Sequence, residues 1–299
     1  MKYLKSFNTT AEYTTYRSSD EFEEPNVSLV KSDAEHPIRY RKKNHILKFT
    51  AAEANSSVKF IFAGDDMNNL PEDSLNISLQ YSTDETTWNN YTLDTVITLT
   101  NVGDYVMFKG NNETFYNNGY WHQFVMTGTI KASGDITSLN NEIGGDYTLT
   151  DDYCYAVMFY NCTSLTTAPE LPATALAKYC YYQMFRGCTS LITAPALPAA
   201  TLYEGCYSDM FYGCTSLTTA PVLPATTLIS NCYREMFNGC TSLSYIKAMF
   251  ITTPSDTYTQ NWVNGVAAEG TFVKNEEAEW DVTGANGIPS GWDVETEAA

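Results

Sequence analysis

The residues best equipped for chemistry are eight cysteines, at positions 154, 162, 180, 188, 206, 214, 232 and 240. Cysteine can close a disulfide, hold zinc or attack as a thiolate, and spacing separates these uses. Here two interleaved series each step by 26 residues: Cys154, Cys180, Cys206 and Cys232, and Cys162, Cys188, Cys214 and Cys240. A Cys-x7-Cys pair is too widely spaced for a zinc knuckle, and no histidine lies among the cysteines. In stacked coils, equivalent residues sit about 4.7–4.9 Å apart with parallel side chains. A disulfide wants Cβ atoms roughly 3.5–4.5 Å apart and converging. Two ladders of buried free thiols are therefore the favoured reading, ahead of disulfides within or between ladders and of zinc.

The remaining reactive groups form no constellation. His36, His45 and His122 are scattered, and His122, within Tyr-Trp-His-Gln-Phe, reads as a partly buried strand residue rather than a base. Gly64-Asp65-Asp66 has the look of an acidic polymerase turn but lacks partner carboxylates and a nucleotide loop, so a solvated turn is expected. Leu171-Pro172-Ala173-Thr174 echoes a sorting signal, yet Ala175 stands where glycine is required and no apolar tail follows it. Phosphate-binding loops, Gly-x-Ser-x-Gly elbows and His-Glu-x-x-His motifs are absent. The expectation is a non-enzymatic protein with no catalytic residues, no cofactor and no metal.

Stepping by 26 from Cys154, the chain gives three complete units and a partial fourth, with fifteen of 26 columns identical across the complete ones. A fixed period of this size marks a solenoid, in which each coil buries its apolar face against its neighbours. The constant columns are Cys, Tyr, Met-Phe, Cys-Thr-Ser-Leu, Thr-Ala-Pro, Leu-Pro-Ala and Leu. All seven charges of the block (Glu170, Lys178, Arg186, Glu204, Asp209, Arg234, Glu235) fall in variable columns. A buried ladder of like charges would repel itself, so the constant columns are expected inside and the variable ones outside. Each unit has room for a short strand near Thr-Ser-Leu-x-Thr-Ala, a proline corner, and a helical or 3₁₀ turn around Cys-Tyr-x-x-Met-Phe.

The phrase Met-Phe-x-x-Cys-Thr-Ser-Leu with its proline turn resembles the leucine-rich repeats of the BspA-like type, found in surface proteins of gut Bacteroidetes and in proteins of their phages. The resemblance covers residues 154–243, with a unit somewhat longer than is usual there. Residues 248–292 resemble the end module of such arrays, through Asn261-Trp262-Val263-Asn264-Gly265, Gly270-Thr271-Phe272 and Gly287-Ile288-Pro289-Ser290-Gly291-Trp292. An array needs a cap over its last apolar coil, and this segment can supply one.

Upstream, Ser78–Ser82, Val96–Thr100, Tyr105–Lys109 and Gln123–Lys131 read as strands separated by Asn- and Gly-rich turns, which suggests an antiparallel sandwich. Leu79-Gln80-Tyr81-Ser82-Thr83-Asp84 and Thr86-Thr87-Trp88 resemble the β module that precedes these repeats. Residues 133–153 form the transition into the first coil. At the start, Asn8 or Thr9 can cap a short helix to about Ser18, followed by extended chain at Val27–Val30 and Ile38–Tyr40 and a basic cluster of Arg39, Arg41, Lys42 and Lys43. Met1–Tyr16 followed by Pro25-Asn26-Val27-Ser28 resembles the opening of structural proteins from phages of Bacteroides.

The expected architecture is mainly β: an N-terminal anchor segment (1–44), a β-sandwich-like spacer module (45–150), a leucine-rich-repeat solenoid (151–247) and a C-terminal cap (248–299). The net charge is -18, divided as -12 over residues 51–153, -7 over 244–299 and -1 over the repeat block, with +2 at the start. That balance argues against nucleic-acid binding. No apolar run is long enough for a membrane span, and the polar start lacks a secretory signal.

The resemblance implies a virion structural protein, a fibre or decoration subunit. Its first segment would meet other virion proteins and its repeats would meet a host glycan or protein. An exported bacterial cell-surface adhesin is the alternative. Variable columns are where a solenoid binds; here the candidates are Tyr160, Arg186, Tyr212 and Asn238 in one column and Tyr182 and Arg234 in another. No heptad specifies an oligomer, and a homo-oligomer is compatible with the sequence. Four coils make a small face, so many copies would be needed for useful affinity.

Overall fold

The structure, a computed structural model, describes residues 27–29, 40–42, 46–64, 77–117, 119–142, 144–145 and 148–298. The helix expected near Asn8–Ser18, the residues Arg39 and Lys43, His36 and His45, and Asp65 and Asp66 lie outside them. The chain divides into two units, Met1–His45 and Ile46–Ala299. In the first, β1 (Val27–Leu29) pairs antiparallel with β2 (Tyr40–Lys42), Val27 opposite Lys42.

The second unit is mainly β. Alternating apolar and polar residues give β3 (Leu47–Ala51) and β4 (Ser56–Gly64) one buried side each. With them come β5 (Leu79–Ser82), β6 (Asn89–Asn90), β7 (Ile97–Leu99), β8 (Tyr105–Gly110), β9 (Tyr116–Asn117), β10 (Tyr120–Thr127) and β11 (Ile130–Ser133). The single run read over Gln123–Lys131 is two strands, because Gly128 turns left-handed (φ 75°) between them. One sheet has the order β7-β4-β10-β9, and the other β11-β3-β8-β5-β6 before a further strand joins it. Between them lies an aromatic core in which Phe124 meets Phe60 (4.6 Å between ring centres), Phe49 (4.7 Å) and Phe108 (5.2 Å). A single helical turn, α1 (Ser138–Asn141), lies in the transition segment.

The extra strand is β12 (Leu165–Thr167), which belongs to the first repeat unit and pairs in parallel with β11. The core is continuous as well. Phe124 stacks on Phe159 (5.6 Å) and Phe115 on Tyr155 (6.1 Å). From there two aromatic ladders run through successive units. Tyr155, Tyr181, Tyr207 and Tyr233 lie 5.9–6.1 Å apart, and Phe159, Phe185, Phe211 and Phe237 lie 5.3–5.7 Å apart.

The Cys-Tyr-x-x-Met-Phe segments are chains of single three-residue turns rather than a continuous helix. Their N–H groups alternate between two uses. In the first unit, Tyr155, Val157, Phe159 and Asn161 donate to the carbonyls of Cys180, Tyr182, Met184 and Arg186 in the next (2.8–2.9 Å). The N–H groups between them turn back three residues, as Ala156 to Tyr153 (2.9 Å) and Tyr160 to Val157 (3.0 Å). Every fourth residue is left-handed: Tyr153 (φ 60°), Val157 (56°) and Asn161 (56°), with their counterparts in later units. Each such residue breaks the helical course after one turn and aims the next amide at the neighbouring coil. The expected strand forms in the first unit and again after the fourth unit's Cys-Thr-Ser-Leu, at Tyr245–Ala248; the units between meet through single bridges, such as Thr167 to Thr193 and Thr219 to Tyr245.

The division of columns into inside and outside needs correcting. The Cys, Tyr, Met, Phe and Leu columns are buried. The constant threonines Thr163, Thr189, Thr215 and Thr241 are exposed, whereas Ser208 and Asp209, in variable columns, are buried. Threonine constancy is thus not a matter of burial; the hydroxyl can reach the neighbouring coil, as Thr215 donates to Thr189 O (3.4 Å).

The ladder continues beyond residue 248. Tyr233, Glu235, Phe237 and Gly239 donate to Tyr258, Gln260, Trp262 and Asn264 (2.8–3.1 Å), and the left-handed residues recur at Asn261 and Gly265. A turn, α2 (Asp256–Thr259), opens this further coil. Strands β13 (Tyr245–Ala248), β14 (Thr271–Asn275) and β15 (Asp293–Glu297) then form a parallel sheet in chain order. Trp262 is fully buried against Phe237, Tyr233 and Phe250. Its indole N–H donates to Gly287 O (2.9 Å), that of Trp280 to Phe250 O (3.2 Å) and that of Trp292 to Ala267 O (2.8 Å). Bulky rings thus close the end without orphaned donors. Among the described residues no helix is long and apolar enough to cross a membrane.

Candidate functional site

All eight cysteines are free and buried. The second ladder has a fixed partner: the thiols of Cys162, Cys188, Cys214 and Cys240 donate to the carbonyls of Phe124, Phe159, Phe185 and Phe211 (3.0–3.1 Å). Burial pushes the Cys162, Cys232 and Cys240 thiols up to about 12 and the others well above their ordinary value. A buried thiol held in its neutral form is a poor nucleophile, because the thiolate is the form that attacks. Among the described residues no group of three or more His, Cys, Asp or Glu is placed to hold a metal ion.

Leu171 and Ala173 of the Leu-Pro-Ala-Thr phrase point into the core, as a coil corner requires. His122 is completely buried on β10 rather than partly, and burial lowers its pKa to about 4.

The columns that hold the candidate residues lie in the turn segments. Arg186 lies over the Tyr212 ring (3.9 Å) and pairs with the Asp209 carboxylate. Ser208 also donates to that carboxylate (2.9 Å), so the guanidinium is held on two sides by groups from the next coil. Gln183 donates to the Tyr182 hydroxyl (2.9 Å). Burial raises the Tyr182 pKa, with Asp209 adding to the rise and Arg186 and Arg234 opposing it, which places all four in one electrostatic neighbourhood. Arg234 donates to Gln260 (3.1 Å) and Glu235 (3.3 Å). Further along, Asn264 donates to Asn238 (3.2 Å). Of the six residues read from sequence, Arg186 and Tyr212 touch, Tyr182 and Arg234 flank them, and Asn238 stands at the far end. Tyr160 occupies the same column one coil before Arg186, half-buried.

A second cluster escaped the sequence reading. Tyr116 of β9 stacks on Tyr153 (4.7 Å), and Tyr153 on Tyr179 (4.8 Å), while Tyr182 meets Tyr179 edge-on (6.0 Å). Gly205 continues the column, and its backbone lies so close to the Tyr179 ring that a Cβ there would fall 2.1 Å from it. The stacked faces are therefore closed, and these rings present edges and hydroxyls. Column alignment contained the signal, since Tyr153 is 26 residues before Tyr179, but Tyr153 precedes the first cysteine of the repeat.

The result is a rigid face of tyrosine edges, two arginines, acids and amides, with each arginine neutralised by an adjacent carboxylate. Such a surface suits recognition by hydrogen bonds and ring contacts rather than by net charge. No family model matches the chain, and no curated protein or solved structure matches it.

Proposed function

We propose that this chain is a non-enzymatic display protein: a short leucine-rich-repeat solenoid of the BspA-like type, seated on an antiparallel β-sandwich and closed by a C-terminal cap. Its turn-side face attaches to a host surface glycan or protein. The supporting observation is the pre-organised cluster of Arg186, Asp209 and Tyr212 beside Tyr182 and Arg234, in columns that change from coil to coil over an unvarying apolar core. A side chain already fixed before binding loses less freedom on contact, which favours affinity.

The setting we propose is the virion of a phage, as a fibre or decoration subunit, with residues 1–44 meeting other virion proteins. It rests on the resemblance of the opening segment and of the repeats. Because the same repeats resemble those of exported bacterial adhesins, the cell surface is the alternative. Mass spectrometry of purified virions and of washed cell-surface fractions separates the two. Attachment is tested with the labelled full chain on intact host cells. Tyr182→Ala, Tyr212→Ala and Arg234→Ala together should lower binding at least about tenfold, as loss of central aromatic and arginine contacts does. Unchanged binding by a folded triple variant would remove this face from the proposal.

A further inference from the structure

His122 is buried completely, and neither ring nitrogen has a hydrogen-bond partner. A neutral imidazole carries one donor and one acceptor, and buried polar atoms are nearly always paired. The ring lies against Phe60 (5.7 Å, near-parallel) and Phe62 (5.0 Å) of β4. Lys59, the residue before Phe60, is turned outward to Asp94. On β10 itself the adjacent same-side residues are Tyr120, stacked on Phe62 (5.8 Å), and Phe124. From the β9 side comes Phe115, whose carbonyl accepts the His122 backbone N–H (2.8 Å) and whose ring packs on Tyr155. The titratable groups nearby are therefore tyrosines, which stay neutral in acid, and no described carboxylate bears on the ring.

What surrounds this histidine also holds the first coil. Phe124, two residues along β10, donates its N–H to Met158 O (2.9 Å), accepts the Cys162 thiol (3.0 Å) and stacks on Phe159. Phe115 donates its N–H to Cys154 O (3.3 Å). Two of the seats of the repeat array hang from the strand pair that encloses the imidazole; a third is β12 on β11, the strand that follows β10 directly.

We propose that His122 is an acid-sensitive latch between the β module and the repeat array: a proton from solvent gives the ring a charge that no described carboxylate balances in this pocket, and β10 lets go of the first coil. The closed state is favoured by the neutral ring. Burial lowers the pKa from 6.5 to about 4, so the closed-state advantage is full above pH 6.5, falls as pH drops from there, and is exhausted below about 4. The cumulative change in the opening equilibrium is about 300-fold, from the separation of those two values.

The test uses the full chain and an aromatic disulfide reagent that reacts with thiols below neutrality, with sites read by peptide mass spectrometry. Between about pH 7.5 and about pH 4.5, labelling of Cys154 and Cys162, measured relative to a free-cysteine peptide at the same pH, should accelerate at least about tenfold while Cys214 stays protected. His122→Phe should abolish the acceleration and raise stability at neutral pH, because two unpaired polar atoms are removed. Independently of that variant, the His122 ring-carbon resonance of the wild-type chain should show no titration near 6.5. Equal acceleration at Cys214, acceleration that persists in His122→Phe, or a ring titrating near 6.5 overturns the latch. None of these outcomes depends on host binding, so the latch and the display function stand or fall separately.

Discussion

Left-handed backbone at every fourth residue of the turn segments decides which side chains those columns tolerate. For most L-residues this conformation costs about 1–2 kcal/mol, and glycine and asparagine escape much of that. One column obeys the rule as Asn161, Gly187, Gly213 and Gly239. A second holds Val157, Gln183, Asp209 and Glu235 at φ of 50–56°, so there the conformation is imposed by the coil-to-coil amide bonds on either side. Gly213 isolates the effect, because a Cβ on it would meet nothing within 4 Å. Gly213→Ala should therefore destabilise by about 1 kcal/mol and Gly213→Asn by clearly less, measured as shifts in the denaturant midpoint. Equal losses would mean that backbone conformation is not what the glycine supplies. The cysteines illustrate the complementary case. Spacing alone argues that they do not bridge, but it cannot reveal that one ladder donates to phenylalanine carbonyls. That depends on how far the coils are offset, which no single column records.

At the level of elements, the unit of construction is one coil, bonded to the next through amides 25 residues apart, as from Tyr155 to Cys180 and from Tyr207 to Cys232. Deleting Cys180–Gly205 joins Tyr179 to Cys206 and leaves every remaining ladder position matched. That variant should fold and unfold cooperatively at a lower midpoint, since one coil and its interface are lost. Deleting Tyr182–Gly205, two residues short of a unit, leaves the four-residue turn cycle out of step and should abolish cooperative unfolding. Circular dichroism during denaturant titration distinguishes the two; equal behaviour would show that register is not what holds the coils. The same logic explains what could be read in advance. Strands at Leu79–Ser82, Ile97–Leu99 and Tyr105–Gly110 follow from alternation and turn residues. The period exposed the coils, since identical columns need no structure to be seen. In the turn segment, Cys-Tyr-x-x-Met-Phe has the apolar spacing of a single turn, but the left-handed positions left no mark because they carry Tyr, Val and Gln as well as Gly. The coil at Tyr258–Gly265 was hidden because its core residues changed type: Trp262 stands where Met236 stands, and only Asn264-Gly265 repeats Asn238-Gly239.

Across the whole molecule, an array whose coils are satisfied only by neighbours must end on something that is not a coil. At one end, Phe115 and Phe124 take the ladder positions that the first coil would otherwise leave bare. At the other, Trp262, Phe272 and Trp280 close over Phe237 and Phe250. The acidity of the flanks follows this arrangement: charge sits on the closing structures and is nearly absent from the coils, where stacking would multiply any buried charge. A chain ending after Glu269 tests the capping argument directly. It lacks β14 and β15, takes Gly287 O from the Trp262 indole, and strips Trp280 from Phe250. Removing a buried tryptophan alone costs about 3–5 kcal/mol, so the shortened chain should lose several kcal/mol. The loss should begin at the open end. In hydrogen exchange, the amides of Glu235 and Phe237, which donate to Gln260 and Trp262, should lose protection first. Those of Val157 and Phe159, three coils away beside the β module, should keep theirs. A uniform fall in protection would instead mark the array as one cooperative block, in which the cap stabilises all coils alike rather than the last one.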